Sequence, residues 1–209
     1  ISKHKTLMEG IENIEYKDID IASQLNFRVK LLGITEMIKG KLFERVHPCL
    51  VQKDTYIGNV NGVMNAVIVN GKPVGESVLQ GEGAGPGATS SALMSDLLSI
   101  LRGNIKYSFG IPDSKRKKVV PYNGKNSSNS LYFRFEVKDK PGVLSEITKL
   151  FANNKISIER VIQIPDHKKQ SASIVIITHK SLEFRSQNLI KSLKKNRNVI
   201  KKPVLIRLF

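Results

Sequence analysis

The most regular pattern of hydrophobic and polar residues lies in the last third of the chain. Leu131, Phe133, Phe135 and Val137 alternate with more polar neighbours, which predicts a strand with one buried and one polar face. Periodicity then predicts a helix at 143–151, strands at 155–164 and 171–178, a helix at 184–196 and a strand at 203–209. This βαββαβ order is typical of a ferredoxin-like α+β sandwich.

The first part of the chain shows a helical pattern, then alternating segments, then a second helical pattern. The pattern predicts a helix at 16–25, strands at 27–34, 42–51, 63–69 and 74–79, and a helix at 88–101. Pro48 interrupts the second strand, and Asn70-Gly71 predicts a hairpin between the last two. Thr89 or Ser90 is the predicted N-cap of the second helix. We therefore expect a mixed β-sheet with helices.

A polar stretch separates these two parts. Residues 114–118 are a run of charge, and residues 123–129 are rich in Asn, Ser and Gly, so neither can bury much apolar surface. We therefore expect one domain at 1–110, a linker at 111–129 and a second domain at 130–209.

Positive charge is concentrated after residue 110. Residues 1–110 hold 12 Lys or Arg and 11 Asp or Glu, whereas residues 111–209 hold 22 and 7. Lys outnumbers Arg by 25 to 9, although specific nucleic-acid recognition favours Arg. The favoured interpretation is a solvated basic surface. RNA binding ranks below it, because Phe133 and Phe135 are predicted to be buried and only Tyr132 stands opposite, whereas RNA-binding sheets expose aromatics.

Composition also limits the other classes of function. Cys49 is the only cysteine and the four His are scattered, which predicts neither a disulfide framework nor a metal site and suits the cytoplasm. No stretch approaches the roughly 20 apolar residues of a membrane span. The chain begins at Ile1 without an initiator Met or a signal region, so we expect it to be part of a longer protein.

A glycine-rich turn joins the predicted hairpin to the second helix. It runs from Gly81 to Thr89 and matches G-x-G-x-x-A at positions 83, 85 and 88. Glycine allows close backbone approach and a helix N-terminus favours phosphate, but Pro86 removes one N–H. Spacing alone leaves a nucleotide contact and a ligand-free turn equally open.

Several landmarks occur here in the order found in one enzyme family. They are Glu9-Gly10-Ile11, Asp18, Ala22, Val29-Lys30-Leu31-Leu32-Gly33, Val46-His47-Pro48, Val60 to Val67, Gly83-Ala84-Gly85, Thr89-Ser90-Ser91-Ala92 and Asp96. Residues 1–103 thus resemble the catalytic domain of homoserine dehydrogenases, although Ala88-Thr89 replaces the usual Pro-Thr of that family. The resemblance implies that Gly83, Ala84, Gly85 and Thr89 contact NAD or NADP.

The same resemblance implies that no catalytic residue lies in this chain. The catalytic lysine and aspartate of the family precede the Glu9-Gly10-Ile11 landmark, and the nucleotide-binding domain precedes them. We therefore expect a fragment without turnover of its own. Lys30, with an ordinary pKa near ~10.4, is interpreted as a strand lysine. Asp18 and Asp20 should face apart on their helix, and His47 is interpreted as structural.

The turn Asp139-Lys140-Pro141-Gly142 leads into the first helix of the βαββαβ segment. Its glycine and the helix N-terminus can receive a small carboxylate, or can form a turn without a ligand. With Ile156-Ser157-Ile158 and residues 173–179, the loop resembles an ACT domain, which binds small effectors such as amino acids. The resemblance implies threonine as effector, with Asp139, Gly142, Val143 and Asn154 as its contacts.

The sequence is compatible with three functions. The first is a fragment of homoserine dehydrogenase, which interconverts aspartate 4-semialdehyde and homoserine with NAD or NADP, under threonine feedback and as a homodimer or higher homo-oligomer through its sheet. The second is a stand-alone amino-acid-binding ACT protein without catalysis. The third is an RNA-binding protein. The first is favoured, with neither a nucleic acid nor a membrane as partner.

Overall fold

The computed structural model describes residues 7–104, 107, 110–116, 118–166 and 168–209. Contacts divide the chain into two units: Ile1–Lys53 with Val119–Phe209, and Asp54–Lys118. Residues 7–53 pack with the C-terminal segment, since Ile21 and Ala22 share a core with Tyr132 and Val175. The domains at 1–110 and 130–209 stay a prediction.

The first unit is built on one seven-stranded sheet. Its strands lie in the order β1-β3-β11-β7-β9-β8, and β2 pairs with β3. The elements in chain order are β1 (Leu7–Met8), α1 (Tyr16–Gln24), β2 (Phe27–Ile38), β3 (Lys41–Gln52), β6 (Ser128–Asn129), β7 (Leu131–Lys138), α3 (Val143–Asn153), β8 (Ile158–Asp166), β9 (Ser171–Thr178), β10 (Ser181–Leu182), α4 (Glu183–Lys195) and β11 (Val204–Leu208). Strands β6 and β10 form a separate small pair.

The predicted βαββαβ order is confirmed. Strands β11, β7, β9 and β8 are antiparallel neighbours. One face of this sheet holds a core in which the rings of Phe133 and Phe151 meet edge to face, with centroids 5.3 Å apart. Ile147 of α3 and Leu189 of α4 are fully buried in the same core. The apolar stripes that the sequence shows therefore do pack on this sheet.

Strand β3 extends this sheet from outside the βαββαβ segment. It pairs in parallel with β11, with Cys49 opposite Arg207 and Leu50 opposite Leu208. The predicted interruption at Pro48 is wrong, since β3 continues through it. Pro48 pairs with Leu31 of β2 on one side, and on the other it lies between the residues that pair with β1 and those that pair with β11. A proline is tolerated in a strand at a position where no neighbour needs its N–H.

Both faces of β7 are buried, so the predicted polar face is wrong. Tyr132 and Arg134 are 0% and 2% exposed. Helix α1 covers them, with Ile21 and Ala22 in the same core. Polar residues do alternate with apolar ones along β7, but a polar residue can be buried where a partner neutralises it. The partner of both side chains is Asp18, which lies more than a hundred residues earlier in the sequence.

The second unit contains a hairpin and a helix. Its elements are a short 3₁₀ turn (Ile57–Asn59), β4 (Met64–Gly71), β5 (Gly75–Glu82), α2 (Pro86–Leu101) and a 3₁₀ turn at Asp113–Lys115. The predicted hairpin is confirmed, with Gly71 opposite Gly75. No residue of α2 is buried. Among the described helices, none is long and apolar enough to cross a membrane.

Candidate functional site

The glycine turn lies between β5 and α2, and the structure favours glycine at two of its positions. Gly83 donates its N–H to the Val63 carbonyl at 2.8 Å. A Cβ on Gly83 would collide with the side-chain amide of Asn65, and Gly85 has a φ of +124°. The sequence thus folds here because glycine removes a clash at one position and allows left-handed backbone at the other.

Gly85 is also the N-cap of α2, so the prediction of Thr89 or Ser90 as N-cap is wrong. Pro86 takes the first helical position, where its fixed φ suits the helix and no N–H is needed. Thr89 donates its N–H to the Gly85 carbonyl at 3.1 Å. The four residues predicted to contact a nucleotide thus lie within one exposed turn, at a helix end that attracts phosphate.

A matched pair of glycine variants tests whether the turn depends on this backbone. Gly85→Ala is expected to destabilise the first turn of α2 by about 1–3 kcal/mol, because alanine rarely adopts its φ. Gly87→Ala, at a position with open space and ordinary φ, is expected to stabilise the helix by up to about 1 kcal/mol. Amide hydrogen exchange in α2 measures both. Equal effects would contradict a special role for Gly85.

The second candidate site is a cavity of about 430 Å³ at the end of β7. Its size lies within the range of small-molecule sites. Its wall is formed by Val137, Lys138, Asp139, Lys140, Pro141, Gly142, Val143, Leu144, Gln163 and Ile174. The structure thus places three of the four predicted effector contacts, Asp139, Gly142 and Val143, around one cavity.

The loop around this cavity is held by backbone hydrogen bonds. Asp139 donates its N–H to the Gln170 carbonyl at 3.1 Å, and Val143 donates to the Lys140 carbonyl at 3.3 Å. Gly142 has a φ of +86° and is the N-cap of α3, with open space where a side chain would stand. The first N–H groups of α3 therefore begin at the cavity, where they can bind a carboxylate.

Asn154 does not lie at this cavity. It caps the other end of α3, where its side-chain amide donates to the Leu150 carbonyl at 2.8 Å. An 11-residue helix is roughly 16 Å long, which separates the two ends. Sequence reasoning missed Gln163, which lines the cavity from β8 and pairs with Ile174 of β9. Strand alternation could have found it, because Gln163 shares a sheet face with the core residue Ile174.

Comparison with known proteins matches two ranges of the chain to two different families. A family model for homoserine dehydrogenase matches residues 1–98, and a model for the ACT domain matches residues 132–198. The homoserine dehydrogenase of Helicobacter pylori is 34% identical over 203 residues, which cover 97% of this chain and 48% of that protein. That of Neisseria gonorrhoeae is 34% identical over 209 residues, covering 96% and 48%.

A solved homoserine dehydrogenase from Thiobacillus denitrificans superposes with a TM-score of 0.82 at 31% identity, over 98% of this chain and 48% of that one. The chain belongs to the homoserine dehydrogenase family. A Staphylococcus aureus homoserine dehydrogenase matches with a TM-score of 0.58 at 26% identity, over 96% of this chain and 46% of that one. The chain spans about half the length of the relatives that it matches.

In this member of the homoserine dehydrogenase family, the remaining residues singled out from the sequence lie apart from both sites. Asp18 is fully buried, whereas Asp20 is exposed and accepts a hydrogen bond from Gln24 at 2.9 Å, so the prediction that they face apart is confirmed. Burial, and then the charge of Arg28, lower the pKa of Lys30.

His47 is buried on β3, where its Nδ1 lies 3.0 Å from the Pro48 carbonyl oxygen and 3.2 Å from the Cys49 Sγ. Burial lowers the pKa of His47 and raises the pKa of Cys49 to about 12. A neutral imidazole and an unionised thiol are a structural pair rather than a nucleophile and its base. Among the described residues no group of His, Cys, Asp and Glu is arranged to hold a metal ion.

Proposed function

We propose that this chain supplies the C-terminal half of an NAD- or NADP-dependent homoserine dehydrogenase, which interconverts aspartate 4-semialdehyde and homoserine in the cytoplasm. Its glycine turn contacts the cofactor, and its ACT domain binds threonine as a feedback effector. The cofactor supplies the hydride chemistry when bound, and Gly83, Ala84, Gly85 and Thr89 help to position it. The observation that carries the proposal is that the homoserine dehydrogenase model and the ACT model match the chain in this order, at residues 1–98 and 132–198.

The isolated chain is proposed to lack turnover, because the catalytic lysine and aspartate of the family are not among its residues. The partner in the assembled enzyme is a second copy of the chain, which joins through the sheet of the catalytic segment. Exposed apolar residues on the β4–β5 hairpin, including Val67, Val69 and Leu79, support such an interface.

Threonine is proposed to lie in the cavity beside Asp139. Its carboxylate is received by the N–H groups at the start of α3, and the Asp139 carboxylate is available for its ammonium group. The amide of Gln163 provides a donor and an acceptor for a hydroxyl, whereas Val137 and Ile174 provide an apolar surface for a methyl group. These contacts match the four parts of this amino acid.

Thermal unfolding of the chain with and without threonine tests this assignment. A ligand that binds only the folded state at a hundredfold excess over its Kd stabilises by about 2.7 kcal/mol, so the midpoint is expected to rise. Isoleucine, methionine and lysine should give smaller shifts. Gln163→Ala should reduce the threonine shift, while Asn154→Ala, at the other end of α3, should preserve it.

The second candidate function is an amino-acid-binding ACT protein without catalysis. The cavity at Asp139 supports both functions equally. The glycine turn and the family match at residues 1–98 support only the first. The coding sequence upstream of Ile1 separates the two. A nucleotide-binding fingerprint in the same reading frame would support the first function, and a stop codon directly upstream would favour the second.

A further inference from the structure

Helix α1 holds the face of β7 that lies opposite the cavity. The Asp18 carboxylate accepts hydrogen bonds from the Tyr132 hydroxyl at 3.0 Å and from the Arg134 Nε at 2.6 Å and Nη2 at 2.9 Å. Lys17, from the same helix, forms an ion pair with Glu136 at 3.1 Å. Three successive residues on this face of β7 are therefore held by α1.

The last of these contacts lies directly beside the cavity. Glu136 is followed by Val137, Lys138 and Asp139, and all three line the cavity wall. Because side chains alternate along a strand, Glu136 and Val137 point to opposite faces of the same short segment of backbone. A shift of this segment on one face has to be accommodated on the other, since buried interiors are close-packed.

Helix α1 also contacts residues outside the βαββαβ segment. Asp18 receives the backbone N–H of Glu15 at 2.9 Å, which fixes the start of the helix. At its other end, α1 contacts Lys53, the residue after β3, whose Nζ donates to the Ser23 carbonyl oxygen at 2.7 Å. The backbone N–H of Lys53 donates to the carbonyl oxygen of Asn26, just after the helix, at 3.0 Å. The helix thus contacts the cavity strand at one side and the segment before residue 54 at the other.

We propose that α1 transmits occupancy of the loop cavity to residues 7–53. A ligand held at Asp139–Val143 fixes the end of β7. The hydrogen bonds and the ion pair between β7 and α1 then become stronger, and α1 becomes more rigid. Linkage requires the reverse as well: a firmer α1 tightens ligand binding by the same factor. The inference rests on the proposed function of the cavity, which it deepens by naming the element that responds.

Amide hydrogen exchange with threonine as the probe tests this inference on the whole chain. Saturating threonine is expected to slow exchange in α1 by about fivefold or more beyond the slowing in α4, which contributes no residue to the cavity. The comparison with α4 removes the global stabilisation that any bound ligand produces.

Two variants separate the transmitting contact from the fold. Glu136→Gln keeps the shape of the side chain but removes its charge opposite Lys17, and is expected to abolish the extra slowing in α1 and to weaken threonine affinity by the same factor. Asp20→Asn changes an exposed carboxylate of the same helix and is expected to preserve both. Threonine binding without extra protection of α1, or equal behaviour of the two variants, overturns the inference alone. Absence of threonine binding overturns the proposed effector site and the inference with it.

Discussion

Replacing Asp18 with asparagine is expected to lower the free energy of unfolding by about 3–5 kcal/mol, the range observed when one member of a buried ion pair is removed. Asp18 is fully buried and Arg134 is 2% exposed. Burial by itself lowers the pKa of Arg134, but the hydrogen bond and charge of Asp18 more than reverse this and raise it, so the guanidinium is charged. Without Asp18, that buried charge is left with Glu136 at 3.5 Å and the half-exposed Glu15 at 3.4 Å.

Urea denaturation measures the effect as a lower midpoint at an unchanged slope. Asp20→Asn is the matched control on the same helix and is expected to change stability by no more than about 0.5 kcal/mol. A loss of similar size in both variants would show that the carboxylate of Asp18 is not specifically required. Arg134→Met together with Asp18→Asn is expected to recover part of the lost stability, because the unpaired charge is then gone.

Replacing Arg207 with methionine is the second change with a large expected effect. The Arg207 guanidinium joins Glu9, at 2.7 and 3.0 Å, to Glu183, at 2.6 and 3.1 Å. Methionine leaves two carboxylates facing each other without a cation, and a loss of about 3–5 kcal/mol is expected at neutral pH. Arg185→Met, at a partly buried arginine of α4 whose Nη1 donates to the Lys155 carbonyl oxygen, is the control and should cost less than about 1 kcal/mol.

Acidification should narrow the difference in the free energy of unfolding between the wild type and Arg207→Met. In the wild type, burial would raise the pKa of Glu183, but the hydrogen bonds and charge of Arg207 prevail and hold it below 4.5. That stabilisation is present above the pKa of the unfolded chain and is lost as pH falls through the lower folded value. In the variant, burial of Glu183 is no longer offset by Arg207, although Gln187 still donates to its carboxylate at 2.9 Å. Protonation of Glu183 therefore restores part of the lost stability.

Unfolding free energies of both proteins at about pH 7 and about pH 4 measure this change. The wild type should lose more stability than the variant over this interval. A constant difference between the two proteins at both pH values would show that Glu183 does not respond to Arg207.

Much of the fold could be predicted because it depends on local pattern. The strands and helices of the βαββαβ segment follow from alternation and from the stripe of Val143, Ile147 and Phe151, whose spacing of four residues places them on one face of a helix. The parallel pairing of β3 with β11 could not be predicted. No short-range signal links Cys49 to Arg207, since register between distant strands is fixed by the assembled core rather than by either segment.

The candidate sites show the same limit. Asp139, Gly142 and Val143 lie within one short stretch of sequence, and the turn chemistry of Pro141 and Gly142 places them at a helix start. Gln163 comes from another strand, so its approach to the loop depends on the order of strands in the sheet. The burial of Tyr132 and Arg134 depends likewise on α1, whose polar Asp18 looks like an ordinary surface residue in the sequence.

The position of β11 limits when the sheet can be completed during synthesis. The last strand of the chain, Val204–Leu208, lies between β3 and β7 in the interior of the sheet. Residues up to Leu208 must therefore have left the exit tunnel before β3 and β7 acquire the neighbour that joins them. Until then the apolar residues of β3, such as Leu50 and Val51, lack part of their covering, which makes this stage the one at which a nascent chain is most exposed to aggregation and to chaperones.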